Sequence, residues 1–182
     1  MDACLQELFA SFEGESLRAR RAAVAAVRKQ SPGAKDEVFD ALLKRLYDTD
    51  RHARWDAAWA LGKIGSKRSD VLDALLAAMK NECPYVRAEV SAALGQLASS
   101  PRDVVDALAP AHEDRHPYVR WNIAWALGQI YGGRDAVLDA LAALRKDDCD
   151  DVRSAARRAF RAVEALPERT RQWQPVSIGR GG

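Results

Sequence analysis

Arginine, aspartate and leucine residues recur at a fixed interval of 33 residues along most of this 182-residue chain. The three series are Arg54, Arg87, Arg120 and Arg153; Asp40, Asp73, Asp106 and Asp139; and Leu42, Leu75, Leu108 and Leu141. A fixed interval of this length indicates stacked supersecondary units, because one unit of that size cannot bury its apolar face alone. The repeat therefore restricts the chain to an array of small, similar units.

Each unit contains two apolar-periodic stretches of helical length. The first stretches read FDALLKRL, LDALLAAM, VDALAPAH and LDALAALR, and the second read ARWDAAWALGKI, VRAEVSAALGQL, VRWNIAWALGQI and VRSAARRAFRAV. Pro84 and Pro117 stand where a second helix is expected to begin, a position that proline tolerates. Pro110, inside a first stretch, predicts a kink. A degenerate earlier unit, LQELFASF with ARRAAVAAVRKQ, brings the prediction to about five helix pairs.

The second stretches and the turns before them follow the pattern D-x4-[VA]-R-x2-A-[AS]-x-A-L-G-x-[IL]. Two copies carry it in full: Asp48, Arg54, Leu61 and Gly62, and Asp114, Arg120, Leu127 and Gly128. Asn81 replaces the aspartate in one copy, and the last copy keeps Asp147 and Arg153 but has AFR in place of ALG. The pattern resembles the HEAT-like repeat, in the short form named after phycobilisome lyases. Ankyrin repeats share the period, but their TPLH turn is not present here.

The resemblance implies an all-α fold, a right-handed α-solenoid of about five stacked helix pairs with period 33. It places the repeat domain at residues 1–166 and leaves residues 167–182, which include Trp173, as an extended or disordered tail. It also implies a ladder of charged hydrogen bonds between adjacent repeats, from Asp48, Asp114 and Asp147 to Arg54, Arg87, Arg120 and Arg153. Repeats of this type mostly supply binding surfaces, so the family pattern says little about function.

The tryptophans do not follow the small apolar residues of the second helices. Numbered from the initial Val or Ala, those residues occupy an arc centred near about 50°, whereas positions 2 and 6 lie at about 200° and 240°. The residues at positions 2 and 6 are Trp55 and Trp59, Ala88 and Ala92, Trp121 and Trp125, and Ser154 and Arg158. In a HEAT-like stack the second helices line the concave side, so the tryptophans are expected to project into a groove.

Polar residues surround this expected groove. Positions 3 and 10 supply its rim, from Asp56, Glu89 and Asn122, and from Lys63, Gln96 and Gln129. Four tryptophans at about 150–250 Å² each exceed the aromatic surface that a monomer usually exposes, and this favours a ligand or partner site. The alternative interpretation is that the tryptophans pack on each other or on the tail and simply close the groove.

Other chemistry-bearing residues carry weaker signals. Asp50, Cys83, His116 and Cys149 share one repeat position, but the helix spacing of about 8–10 Å separates them too widely for one zinc ion. We interpret them as helix caps or turn residues. His112 and Glu113 resemble one of the His-Glu pairs of deoxyhypusine hydroxylases, a family that needs several such pairs for its di-iron centre. No nucleophile triad or phosphate loop is recognisable, so no catalytic residues and no metal site are expected.

Composition bounds the remaining possibilities. A net charge of +2 gives no general attraction to polyanions, and three widely spaced cysteines favour a reducing, cytoplasmic compartment. Neither a signal peptide nor a membrane span is expected. The last unit is basic, with Arg153, Arg157, Arg158 and Arg161, and reads either as a solvated capping helix or as a patch for phosphate or an acidic protein. The aspartates just before this unit weaken the case for a nucleic acid partner.

Two functions compete at this point. The first is a non-catalytic adaptor or scaffold that binds a helix or an extended peptide of another protein, or a second copy of itself, in the tryptophan-lined groove without a cofactor. The second follows from the resemblance: a phycobilin lyase-like subunit or other tetrapyrrole-binding chaperone, with a bilin between the tryptophan pairs and its propionates near Lys63 or Arg158. The short chain length is an argument against the second.

Overall fold

The computed structural model describes residues 3–13, 16–65, 68–97, 101–130 and 134–165, and every regular element in those ranges is helical. Two compact units divide the chain, residues 1–99 and residues 100–182. The expected tail of residues 167–182, with Trp173, lies outside the described residues.

The first unit contains three helix pairs. Its helices are α1 (Ala3–Glu13), α2 (Leu17–Arg28), α3 (Pro32–Arg45), α4 (Arg51–Ile64), α5 (Ser69–Ala78) and α6 (Pro84–Leu97). The second helix of the middle pair, α4, packs against the second helices on both sides, α2 and α6, and against its own first helix, α3. Leucines of the 33-residue repeat, Leu42 and Leu75, are fully buried in the core between the two layers.

The second unit contains two pairs. Its elements are α7 (Pro101–Leu108), a short 3-10 helix (Pro110–Glu113), α8 (Pro117–Leu127), α9 (Arg134–Leu144) and α10 (Asp150–Glu164). The second helices α8 and α10 pack side by side, as α4 and α6 do in the first unit. The kink predicted at Pro110 is wrong: α7 ends at Leu108, and Pro110 begins the 3-10 helix, because its ring and missing N–H prevent an α-helix from continuing through it.

Two predictions about the helix starts are confirmed. Pro84 and Pro117 are the first residues of α6 and α8. Of the residues that share one repeat position, Asp50 caps α4 by accepting from the backbone N–H of His52, and His116 caps α8 by accepting through Nδ1 from that of Tyr118. Cys149 is the N-cap residue of α10 without a side-chain cap bond.

Part of the ladder expected from the family pattern is present among the described residues: Arg120 reaches the carboxylate of Asp147 in the next pair, whereas Arg54 reaches Glu82 instead of one of the expected aspartates. The side-chain oxygens at the aspartate position accept the N–H two residues further on, in Asp48, Asn81, Asp114 and Asp147. This Asx turn shapes the loop before each second helix. Arg54 and Arg120 donate to the backbone oxygens of Asp48 and Asp114 in their own loops, and also reach the next pair of the same unit.

The acceptor in that next pair differs between the units. Arg54 Nη2 lies 2.7 Å from Glu82 Oε1, whereas Arg120 holds Asp147 with Nε 2.6 Å from Oδ2 and Nη2 2.8 Å from Oδ1. Asn81 cannot serve as the anionic acceptor, and the neighbouring Glu82 does so instead. The charged ladder thus adapts to the one substitution in the aspartate series.

Candidate functional site

The tryptophans differ in exposure. Trp55, Trp121 and Trp125 are partly buried, but Trp59 is only 7% exposed. The prediction that Trp59 projects into open space is therefore wrong. Both neighbouring second helices, α2 and α6, pack against α4, so the side of α4 opposite its small apolar residues is not simply exposed to solvent.

In the first unit, Trp55 lies beside a buried ion pair. The guanidinium of Arg20, from α2, is 5.8 Å from the Trp55 ring centroid, and Arg20 Nη1 is 2.9 Å from Asp56 Oδ1. Asp56 is only 5% exposed, and this burial raises its pKa, although Arg20 opposes the effect. The prediction that Asp56 forms part of an open rim is wrong, since α2 supplies its partner and covers it.

Glu89 in α6 is the next carboxylate along the same helix face. It is partly buried, and no described residue forms a hydrogen bond with it. Burial raises the pKa of Glu89 to about 7, nearby Asp56 adds to the increase, and Lys63 opposes it. A carboxyl group whose pKa lies near neutral pH, on a partly exposed surface, favours a ligand that offers a positive charge or a hydrogen-bond donor.

The other predicted rim residues mostly bond locally. Lys63 Nζ is 3.0 Å from Gln96 Oε1, and Gln96 Nε2 in turn donates to the backbone of Ala92. Asn122 is 6% exposed and donates from Nδ2 to the backbone oxygen of Tyr118, so the prediction that it forms part of the rim is wrong. Its amide is occupied within its own helix. Gln129 is exposed, as is Arg158 in α10.

The second unit contains an aromatic cavity between the starts of α8 and α10. The rings of Tyr118 and Trp121 stack at 6.4 Å with an interplanar angle of 5°, and Tyr118 is 43% exposed. The cavity has a volume of about 380 Å³. Its lining is formed by Pro117, Tyr118, Trp121, Cys149, Asp151 and Val152. Mostly apolar walls with one carboxylate suit an anchoring side chain of a ligand.

Sequence reasoning missed the tyrosine in this cavity. The tetrapeptide PYVR occurs twice, with Tyr85 and Tyr118 at equivalent positions, and both side chains are among the most exposed large apolar groups described. Tyr85 lines a corresponding cavity of about 520 Å³ in the first unit, between the starts of α4 and α6. The repetition of a tyrosine one helical turn before the tryptophan position is the sequence feature that could have indicated these cavities.

The candidate metal-binding side chains do not come together among the described residues. No group of three or more His, Cys, Asp or Glu side chains there is arranged to hold a metal ion. His112 Nδ1 lies 2.6 Å from the backbone oxygen of Ala109, and its Nε2 is 4.0 Å from Glu113. The His-Glu pair thus forms local contacts in the 3-10 helix.

The sequence profile of the family described as HEAT repeats matches residues 5–82 and 72–161, which together cover most of the chain. The chain belongs to the HEAT repeat family. A comparison with curated proteins finds no match. No helix among the described residues is both long and apolar enough to cross a membrane.

Solved structures agree with the HEAT assignment. The complex of CpcE and CpcF of phycocyanin lyase from Nostoc sp. PCC7120 aligns with a TM-score of 0.68 at 20% identity, over 86% of this chain and 98% of that one. The complex of Kap95p with RanGDP gives a TM-score of 0.68 at 16% identity, over 88% of this chain and 23% of that one. Human deoxyhypusine hydroxylase gives 0.57 at 26% identity, over 88% of this chain and 62% of that one.

These similarities establish an all-helical repeat scaffold whose structural neighbours include proteins in complexes with protein partners. This chain spans less than two thirds of the length of the human hydroxylase. By contrast, it aligns with nearly the whole of the lyase chain, so its length is not an argument against that comparison.

Proposed function

We propose that this HEAT-repeat protein is a non-catalytic adaptor that binds a helix or an extended segment of another protein along its second helices. The observation that carries the proposal is the cavity walled by the stacked rings of Tyr118 and Trp121. A stacked pair presents a rigid apolar wall whose ordering cost is already met in the free protein, which favours an anchoring contact. Tryptophan and tyrosine are also the residues that most often dominate binding energy at protein interfaces.

The first unit supports the same proposal through its polar groups. With Asp56 held by Arg20, the carboxyl group of Glu89 is the acidic member of the predicted rim that forms no hydrogen bond within the described structure. Lys63 and Gln96 lie on the same face and bond to each other, and an incoming backbone can replace that exposed bond. A partner segment with a basic or amide donor opposite Glu89 fits these groups.

The experiment is a peptide-display selection with the wild-type chain, followed by calorimetry of the enriched peptides. Trp121→Ala and Tyr118→Ala are expected to weaken binding at least tenfold. Tyr47→Ala is the matched control, because Tyr47 is 64% exposed and lines none of the cavities described above. The proposal is abandoned if no peptide is enriched, or if the enriched peptides bind the cavity variants as tightly as the control. Ultracentrifugation of the same proteins tests whether a second copy is the partner.

A tetrapyrrole-binding or lyase-like role is the second candidate. Alignment with nearly the whole phycocyanin lyase chain favours testing it, although a likeness at 20% identity carries fold alone. The Tyr118 and Trp121 rings offer a flat stacking surface for a conjugated ligand, and Arg158 in the same unit is the cation proposed for its propionates. Mixing the protein with phycocyanobilin should then shift the visible absorption band, and Trp121→Ala should abolish the shift. An unshifted spectrum rules this role out.

A further inference from the structure

A third cavity, of a different chemical character, lies between the end of α9 and the last turns of α10. It has a volume of about 400 Å³. Its lining is formed by Arg145, Arg157, Phe160, Arg161 and Glu164. None of these residues lines the aromatic cavity at the other end of α10, so this cavity is independent of the adaptor site proposed above.

No described carboxylate pairs with the arginines of this cavity. Within the described ranges, no salt bridge or side-chain hydrogen bond involves Arg145, Arg157 or Arg161. The guanidinium of Arg145 lies 4.5 Å from the ring centroid of Phe160, a cation–π contact between two residues that line the cavity. Other arginines of the chain, such as Arg54, Arg68 and Arg120, are paired with acidic groups. Other exposed arginines, such as Arg18, Arg28 and Arg158, also form no salt bridge within the described residues, so what distinguishes these three is that they line one cavity together.

A role in helix stability explains part of this arrangement. Arg161 lies in the last turn of α10, and Arg145 directly follows α9. A positive charge at the C-terminal end of a helix is stabilised by the unpaired backbone carbonyl groups there. Arg157 lies two turns from the end of α10, beyond the range of that effect, and at i,i+4 spacing from Arg161 it adds like-charge repulsion. An anion in the cavity relieves this repulsion.

We propose that this cavity binds the phosphate monoester group of a ligand. Three guanidinium groups and one carboxylate give the lining a net charge of +2. That charge matches a phosphate monoester, which carries about −1.5 to −2 at neutral pH and offers three acceptor oxygens. The planar fork of arginine suits bidentate contacts to such oxygens better than the point charge of lysine does.

A nucleic acid fits this surface less well than an isolated monoester. A phosphodiester chain needs basic groups along a strip, whereas here they surround one cavity with Glu164 on its wall. Asp147, Asp148, Asp150 and Asp151 at the opposite end of α10 would repel a continuing backbone.

The test is an NMR titration of the arginine side-chain N–H groups in the full chain with inorganic phosphate, at constant ionic strength and pH 7.5. Saturable shifts are expected at Arg145, Arg157 and Arg161. Arg157→Ala should raise the dissociation constant for phosphate at least tenfold, and Arg157→Lys should raise it several-fold. The control is Lys146→Ala, which removes the same charge from an exposed neighbour of Arg145 that does not line the cavity.

Three outcomes would overturn the proposal. Equal shifts with acetate would show simple charge screening, and equal weakening by Lys146→Ala would show that net charge alone matters. Tighter binding of a single-stranded oligonucleotide than of phosphoserine peptide, AMP or free phosphate would assign the cavity to nucleic acid. Among the last three probes, the order of affinity distinguishes a protein-borne phosphate from a small-molecule one. Because Arg157 is exposed and Arg157→Lys retains its charge, at least one variant is expected to fold, as checked by circular dichroism.

Discussion

Gly62 in α4 lies so close to Ala93 in α6 that a Cβ atom at Gly62 would stand 2.8 Å from both the Cα and the Cβ of Ala93. The two second helices of the first unit touch backbone to backbone at this point. Gly128 repeats the arrangement in the second unit, where a Cβ would stand 2.9 Å from the Cβ of Ala159. The glycine of the ALG motif is therefore a packing requirement between neighbouring second helices.

Gly62→Ala is expected to destabilise the protein by about 1–2 kcal/mol. Overpacking against a backbone atom costs about 1–3 kcal/mol and outweighs the gain of up to about 1 kcal/mol in helix propensity. Urea unfolding measures the difference. Gly33→Ala is the control: a Cβ there meets nothing within 4 Å, so the same exchange should be neutral or stabilising. Equal effects at the two positions would contradict the packing argument.

The ion pair between Arg120 and Asp147 should make the free energy of unfolding depend on pH in the acidic range. Arg120 is the main cause that lowers the pKa of Asp147 to about 2, against 3.8 for a free group. A lowered carboxyl pKa contributes stability that is present above about pH 4 and is lost as the pH falls towards 2. Asp147→Asn keeps an oxygen for the Cys149 N–H but removes the charge.

This variant should be less stable than wild type by about 2 kcal/mol at pH 7, and the two should converge at pH 2. Denaturant unfolding at pH 7, 4, 3 and 2 checks this, and a constant difference across that range would disprove the role of the charge.

Removing Arg20 alone should cost more than removing the Arg20–Asp56 pair. Arg20→Met leaves a carboxylate that is 5% exposed without its partner, and we expect a loss of about 2–3 kcal/mol. Adding Asp56→Leu should recover most of that loss, because a buried apolar side chain needs no counterion. A double-mutant cycle by chemical denaturation measures the coupling. Strict additivity of the two substitutions would show that the pair does not hold α2 against α4.

Glu89 should give the free energy of unfolding the opposite pH dependence. Its pKa is raised to about 7, so it contributes stability below its usual pKa near 4.5 that is lost as the pH rises through 7. Glu89→Gln should remove this dependence and exceed wild type in stability by about 1–3 kcal/mol at pH 8. Unfolding at pH 4.5, 6 and 8 provides the test, with Glu37→Gln, which removes an exposed carboxylate outside the charged ladder, as the comparison. The explanation fails if the two glutamine variants behave alike.

The helix pairs were predictable because their signals are local and repeated. Proline at the starts of α6 and α8 and the period of 33 residues determine where the pairs lie. The break at Pro110 was harder to predict, because its sequence alone is compatible with either a kink or an end, and only the 3-10 turn after Leu108 distinguishes them.

The site was less predictable because its exposure depends on neighbouring helices. A helical projection gives a direction for each side chain but not what lies there: α4 packs against α2 and α6, and Trp59 and Asp56 are buried. The partner of Asp56 is Arg20, 36 residues away in the degenerate first repeat, where the pattern is weakest. By contrast, Lys63 bonds to Gln96 at the same position of the next repeat, 33 residues on, and Asn122 bonds to the backbone oxygen of the residue four positions earlier, so spacing could have indicated both contacts.

The arginines of the repeat position differ in what they connect. Arg54 and Arg120 each donate to an acidic side chain of the helix pair that follows in the same unit, whereas Arg153 pairs with Asp150 in the first turn of its own helix. A substitution at Arg54 or Arg120 therefore loosens the contact between two helix pairs, whereas the same substitution at Arg153 affects a single helix.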